Sequence, residues 1–143
     1  MEYRKQAHCT YHTRYHLVFV TKYRRKIFRK NLGAYVQAVL RNVTRKYPDI
    51  EVLEVNTDED HVHLLASIPP RVAVSEAVRL LKTNSSRAMR ARFPFIRDMY
   101  DHADMPLWAE GYFCSTVGAD ESAIQRYIEM QGQEDKGQAT LDW

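Results

Sequence analysis

Two histidines flank a single apolar residue in His61-Val62-His63, directly after the acidic turn Asp58-Glu59-Asp60. On a strand, side chains alternate between faces, so both imidazoles point one way while Val62, Leu64, Ala66 and Ile68 point into a core. Two neutral imidazoles side by side suit a divalent cation. A site with only two protein nitrogens also needs oxygen ligands, and a DNA phosphate qualifies. Histidine pairs at this spacing occur on solvated strands too, with no ligand. A second pair, Tyr127 and Gln131, stands four residues apart. On a helix that is one turn, so the hydroxyl and the side-chain amide share a face. The hydroxyl is a candidate nucleophile, yet a tyrosine among Ile124, Ile128 and Met130 equally suits packing.

The formal charge of +3 is unevenly distributed. Residues 1–50 hold twelve Lys or Arg against two acids, Glu2 and Asp49, whereas residues 51–143 hold nine against sixteen. The densest basic stretch runs from Lys22 to Lys30, with Tyr23, Ile27 and Phe28 interleaved, a pattern suited to phosphates and stacked bases. Lys22, Arg24, Arg25, Lys26, Arg29 and Lys30 are therefore candidate nucleic-acid contacts, and Lys82, Arg87 and Arg90 form a second basic group. Apolar residues at 45% and charged residues at 27% are ordinary globular values, and 143 residues fit one domain. No apolar run is long enough to span a bilayer. Met1 to Gln6 lacks a secretory signal's apolar stretch, and Cys9 and Cys114 have no motif spacing, so a cytoplasmic, reduced protein without membrane partners is expected.

The elements that must position these groups follow from periodicity. Tyr11 to Thr21, β-branched and aromatic, predicts a central strand. Asn31 caps a predicted helix through Tyr35, Val36, Val39, Leu40 and Val43, which Pro48 ends. Ile50 to Asn56 predicts a strand, less cleanly alternating at Leu53 and Val55, joined by Thr57 to Asp60 to the histidine strand as a hairpin. Pro69-Pro70 stops that strand. A second helix is predicted from a Ser75 cap to about Arg92, with Val74, Val78, Leu81 and Ser85 on its apolar side. Phe95 to Pro106 reads as a loop or short helix, and Trp108 to Val117 as a last strand. Ser122 and Gln125 form a capping box for a terminal helix over about 122–136, followed by a loose tail over 137–143.

The order β, α, β, β, α, β plus a helix is that of an α+β, ferredoxin-like (split βαβ, RRM-like) fold, an antiparallel sheet with two helices on one face. The other face is expected to be free, with the first and third strands central. His8, His12 and His16 recur every four residues, but the strand composition from Tyr11 onward argues against one helical zinc-binding face.

Five ordered blocks carry a resemblance that covers nearly the whole chain. They are Tyr15 to Arg25 (YHLVFVTKYRR), Asp60 to Leu65 (DHVHLL), Leu81 to Arg87 (LKTNSSR), Leu107 to Phe113 (LWAEGYF) and Tyr127 to Gln131 (YIEMQ). Together they resemble the IS200/IS605-type single-tyrosine (Y1) HUH transposases; the histidine motif alone is shared with rolling-circle initiators and conjugative relaxases. The resemblance implies one transposase domain over 1–143, with a core over 11–118 and the catalytic helix over about 122–136. It implies Tyr127 as nucleophile, His61, His63 and Gln131 as ligands of Mg²⁺ or Mn²⁺, and a 5′-phosphotyrosine intermediate. It further implies single-stranded DNA with hairpin ends as substrate, and a homodimer in which Tyr127 can act in trans; the single glycine in the short region Gly118 to Glu121 would allow a hinge there. Ala109 and Glu110 depart from the family pattern, where glycine and a basic residue are expected, which bears on local DNA contact. Two other readings stay open: a domesticated relative that processes chromosomal palindromes, and a non-catalytic single-strand binder stacking bases on Tyr112 and Phe113.

Overall fold

The computed structural model of the chain describes residues 3–99, 106–116 and 121–141. A short N-terminal hairpin, β1 (Arg4–Gln6) and β2 (Cys9–Tyr11), precedes β3 (Arg14–Val20). A 3-10 turn (Lys22–Arg24) leads toward α1 (Asn31–Lys46), β4 (Glu51–Thr57) and β5 (His61–Ser67). Then come α2 (Val74–Arg92), α3 (Phe95–Met99), β6 (Phe113–Ser115) and α4 (Glu121–Leu141). The main sheet is antiparallel with spatial order β4-β5-β3-β6, so β3 and β5 are central, as the ferredoxin-like order requires. Among the described residues no helix is long and apolar enough to cross a membrane.

Strand alternation sorts the sheet into two faces. Leu17 and Phe19 of β3 join Val62, Leu64 and Ala66 of β5 in a core closed by Val36, Leu40 and Val43 of α1 and Ala77, Val78, Leu81 and Met89 of α2. Trp108 sits in this core against Phe19 and Phe28, with ring centroids 5.7 and 5.4 Å away. Its indole N–H donates to Ser85 Oγ at 2.9 Å, which explains a serine on the apolar stripe of α2.

Several expectations are corrected. The second face of the sheet is not free: Ile124 and Ile128 of α4 pack on Val18 and Val20 of β3. Tyr11 belongs to β2, a hairpin the sequence pattern does not announce, pinned by Arg4 to the carbonyls of Asp49 and Pro48. The irregular alternation near Leu53 is a register shift between Val52 and Glu54, which lets Val52 and Val55 both face the core. Neither Asn31 nor Ser75 caps its helix; the caps are Lys30 and Ala73, without side-chain bonds. The last strand shrinks to Phe113–Ser115 because Gly111 takes a left-handed φ of 82°, leaving Trp108 in a single bridge to Thr21. Helix α4 begins at Glu121, one residue before the expected box, and continues to Leu141 through most of the expected tail. Val117 and the expected hinge at Gly118 lie outside the described residues.

Candidate active site

His61 and His63 are half-buried on the α4 side of β5, paired across the sheet with Val20 and Val18. Each histidine is thus the cross-strand neighbour of a valine on which α4 packs. Asp60 Oδ1 accepts from His61 Nδ1 at 2.9 Å, and its Oδ2 accepts from Arg24 Nε at 3.3 Å. The bond from His61 holds the Asp60 carboxyl below its ordinary range, with Arg24 adding to the effect. With the proton on Nδ1, the lone pair of His61 Nε2 is left for a ligand. His63 Nε2 lies 3.3 Å from Nδ1 of His16, on β3. Burial, and then the charges of His16 and His61, push the His63 pKa down, which favours the neutral imidazole, the form able to bind a metal.

Tyr127 and Gln131 share a face of α4, as their spacing predicts, and the tyrosine hydroxyl donates to Gln131 Oε1 at 3.2 Å. Tyr127 stacks at a tilt on Phe113 of β6, with centroids 6.0 Å apart. A Cβ at Gly111 would stand 3.3 Å from Gln131 Oε1 and 3.6 Å from the Tyr127 hydroxyl, so this pair is turned toward the 109–113 segment. Gln125 and Ile128 instead join His61, Asp60 and Arg24 around a cleft of about 210 Å³. Among the described residues no hydrogen bond joins Tyr127 or Gln131 to either imidazole, and no three His, Cys, Asp or Glu side chains converge as a metal cage. Burial, reinforced by Glu134 and Asp135, pushes the Tyr127 phenol up to about 12.

The nine basic candidates separate into two groups. Lys22 is buried against Asp135 at 3.2 Å, Arg24 is held by Asp60, and the Arg25 guanidinium lies 5.7 Å from the Tyr23 ring centroid. Lys26 and Arg29 are exposed and approach Glu59 at 3.8 and 3.7 Å; Lys30 is exposed at a left-handed φ of 54°. On α2, Lys82 donates to the carbonyls of Ala109 and Gly111 at 2.9 and 2.6 Å, and burial lowers its pKa to about 8. Lys82, Arg87 and Arg90 line a cleft of about 720 Å³ with Arg97 of α3, in the segment read as a loop or short helix and not singled out as a cation site. Asp60, His16 and Asp135 also adjoin the site. Only Asp60, next to the histidine motif, carries a sequence signal for such a role.

The sequence profile described as "Transposase IS200 like" matches residues 9–131. The chain belongs to the IS200-like transposase family. It is 35% identical over 130 residues to the IS200 transposase of Salmonella typhimurium, covering 91% of this chain and 84% of that protein. It is 31% identical over 132 residues to the ISDra2 transposase TnpA of Deinococcus radiodurans, covering 92% of each. A crystal structure assigned to a transposase of Deinococcus radiodurans superposes with a TM-score of 0.78 at 30% identity, over 90% of this chain and 97% of that one. A REP-associated tyrosine transposase bound to a REP hairpin shares the fold at a TM-score of 0.51 and 14% identity, over 90% of this chain and 68% of that one. Membership implies DNA-cleaving and rejoining activity.

Proposed function

We propose that this IS200-like transposase acts for an insertion sequence by cutting and rejoining single-stranded DNA, with Tyr127 as nucleophile and His61 and His63 as holders of Mg²⁺ or Mn²⁺. The observation that carries the reading is the docking of the Tyr127 helix on Val18 and Val20, the cross-strand neighbours of the two histidines. The donor set fits a divalent ion: His61 offers Nε2 because Nδ1 is bound to Asp60, and burial lowers the His63 pKa toward the neutral imidazole a metal needs. Oxygen ligands would complete the shell, and Gln131 would supply one by giving up the hydrogen bond it accepts from Tyr127. When bound, such an ion polarises a phosphodiester and stabilises charge in the transition state.

With its pKa near 12, Tyr127 holds its proton at neutral pH, so the proton must leave as the Oη–phosphorus bond forms. The bond from phosphorus to the 3′ oxygen breaks, and that oxygen takes up a proton. The DNA 5′ end stays on Tyr127 as a phosphotyrosine, and the free 3′-hydroxyl can attack a second such ester to rejoin strands. No water or ATP enters the balance.

Single-stranded DNA with hairpin ends is the proposed substrate, a reading supported by the REP hairpin bound to the related fold. Lys26, which shares a cleft with His61, the exposed Arg29 and Lys30, and Arg87 and Arg90 in the α2 cleft, are the proposed phosphate contacts. The proposed assembly is a homodimer. Its α4 helices could dock on the partner's sheet in trans; here α4 lies on the sheet of its own chain. The higher identity to insertion-sequence transposases than to the REP-associated one favours a mobile element over a domesticated role.

The test is denaturing electrophoresis of the protein mixed with single-stranded ends of its own element. A slower-migrating protein-DNA adduct is expected with Mg²⁺ or Mn²⁺, and none in Tyr127→Phe. An adduct persisting in that variant would sink Tyr127 as nucleophile. Chelator-insensitive binding without any adduct would make the chain a binder.

A further inference from the structure

Asp135 lies two helical turns beyond Tyr127, is fully buried, and has no part in the proposed chemistry. Its carboxylate accepts from Lys22 Nζ at 3.2 Å and from the Tyr23 backbone N–H at 2.8 Å. Tyr23 and Arg24 hold left-handed φ values of 60° and 52°, an uncommon conformation for bulky side chains, in the turn that presents that N–H to the helix. Beside this contact, Arg24 crosses α4 at Gly132. A Cβ there would come within 2.5 Å of Arg24 Cδ. Arg24 then reaches Asp60, which in turn holds His61.

The apolar seat of α4 is small, limited mainly to Ile124 and Ile128 on Val18 and Val20, with Phe113 and Tyr127 alongside. A carboxylate withdrawn from water is costly unless paired, so its partners select one docking position for the helix. Asp135, Gly132, Ile128 and Ile124 lie on one buried stripe together with Gln131, so fixing the far end of the stripe fixes the turn that carries Tyr127.

We propose that Asp135 is a positioning residue: clasped by the Lys22-Tyr23-Arg24 turn, it sets where α4, and with it Tyr127, sits over the histidine face. Gly132 serves the same clasp by admitting Arg24. Lys22 accordingly acts as a structural partner of the helix rather than as a phosphate contact. This inference rests on the proposed function for its catalytic consequence but not for the clasp itself.

The test uses the full chain and three variants, Asp135→Asn, Lys22→Met and Gly132→Ala, with two readouts. Amide hydrogen exchange is followed without DNA or metal, and adduct formation is timed at saturating single-stranded DNA with Mn²⁺. In Asp135→Asn, exchange of α4 amides is expected to speed up by about tenfold or more while β3 and β5 keep their protection. Adduct formation slows by a similar factor, and DNA affinity stays within about twofold. Lys22→Met should reproduce this without flattening the salt dependence of binding, which loss of a phosphate contact would do. Alanine is a better helix former than glycine, so a bystander Gly132 would give a better-protected α4 in Gly132→Ala; the clasp predicts a less protected one. Wild-type α4 protection in Asp135→Asn, a flattened salt dependence in Lys22→Met, or protection lost across the whole sheet would each overturn the proposal. A wild-type chain that forms no adduct would overturn the proposed function instead, and the exchange data would still decide the clasp.

Discussion

On the face covered by α1 and α2, the central strands present Leu17, Phe19, Val62, Leu64 and Ala66, none more than 1% exposed. On the opposite face the same strands present His16, Val18, Val20, His61 and His63, and the helix above them brings two isoleucines, Tyr127, Gln131 and Asp135. The first face is closed by a large apolar core; the second seats its helix on a small apolar cluster supplemented by the polar contacts of Asp135. Because strand side chains alternate, one strand serves both tasks, and α4 can shift or lift without exposing the main core.

Three substitutions break or sharpen that contrast. Phe19→Ala should cost ~3–5 kcal/mol of global stability. It leaves Trp108 without one of its aromatic neighbours, and chemical denaturation should show a lowered midpoint for the whole chain. Ile128→Ala on the second face should cost about 2 kcal/mol, the low end for its type, because the cluster it leaves is small. Its signature should be local, with faster exchange in α4 than in β5; a loss equal to that of Phe19→Ala would dissolve the distinction between the faces.

Asp60→Asn should have the smallest effect, under about 1 kcal/mol after solvent screening. Its sign is set by pH: the Asp60 pKa is depressed in the fold, so its contribution is present above the ordinary value of 3.8 and fades as pH falls through the native value. Acid unfolding curves of the variant should therefore converge with those of the parent at the lowest pH and separate above it.

The histidine strand was legible because strict alternation from His61 to Ile68 leaves one register that buries Val62, Leu64 and Ala66. The sheet order followed from the sequence of elements, and the Tyr127-Gln131 pairing from helical spacing. What escaped depends on long-range partners. Ile124 and Ile128 announce an apolar stripe without naming the surface that receives it. Asp135 and Lys22, 113 positions apart, each look solvated until the turn and the helix meet. Arg4, which ties the N-terminal hairpin to residues 48 and 49, is likewise unreadable from its own neighbours. The left-handed turn at Tyr23 and Arg24 has no glycine to announce it.

At Gly111 two demands coincide: a φ of 82°, and space shared with the Tyr127 hydroxyl and the Gln131 oxygen. For protein engineering this makes the position a bottleneck. A side chain placed there must both bear an unfavourable backbone conformation and press on the Gln131 oxygen beside the Tyr127 hydroxyl. A library randomised at 111 and selected for transposition should thus return glycine, a mutational fingerprint of a gap that serves as a working part.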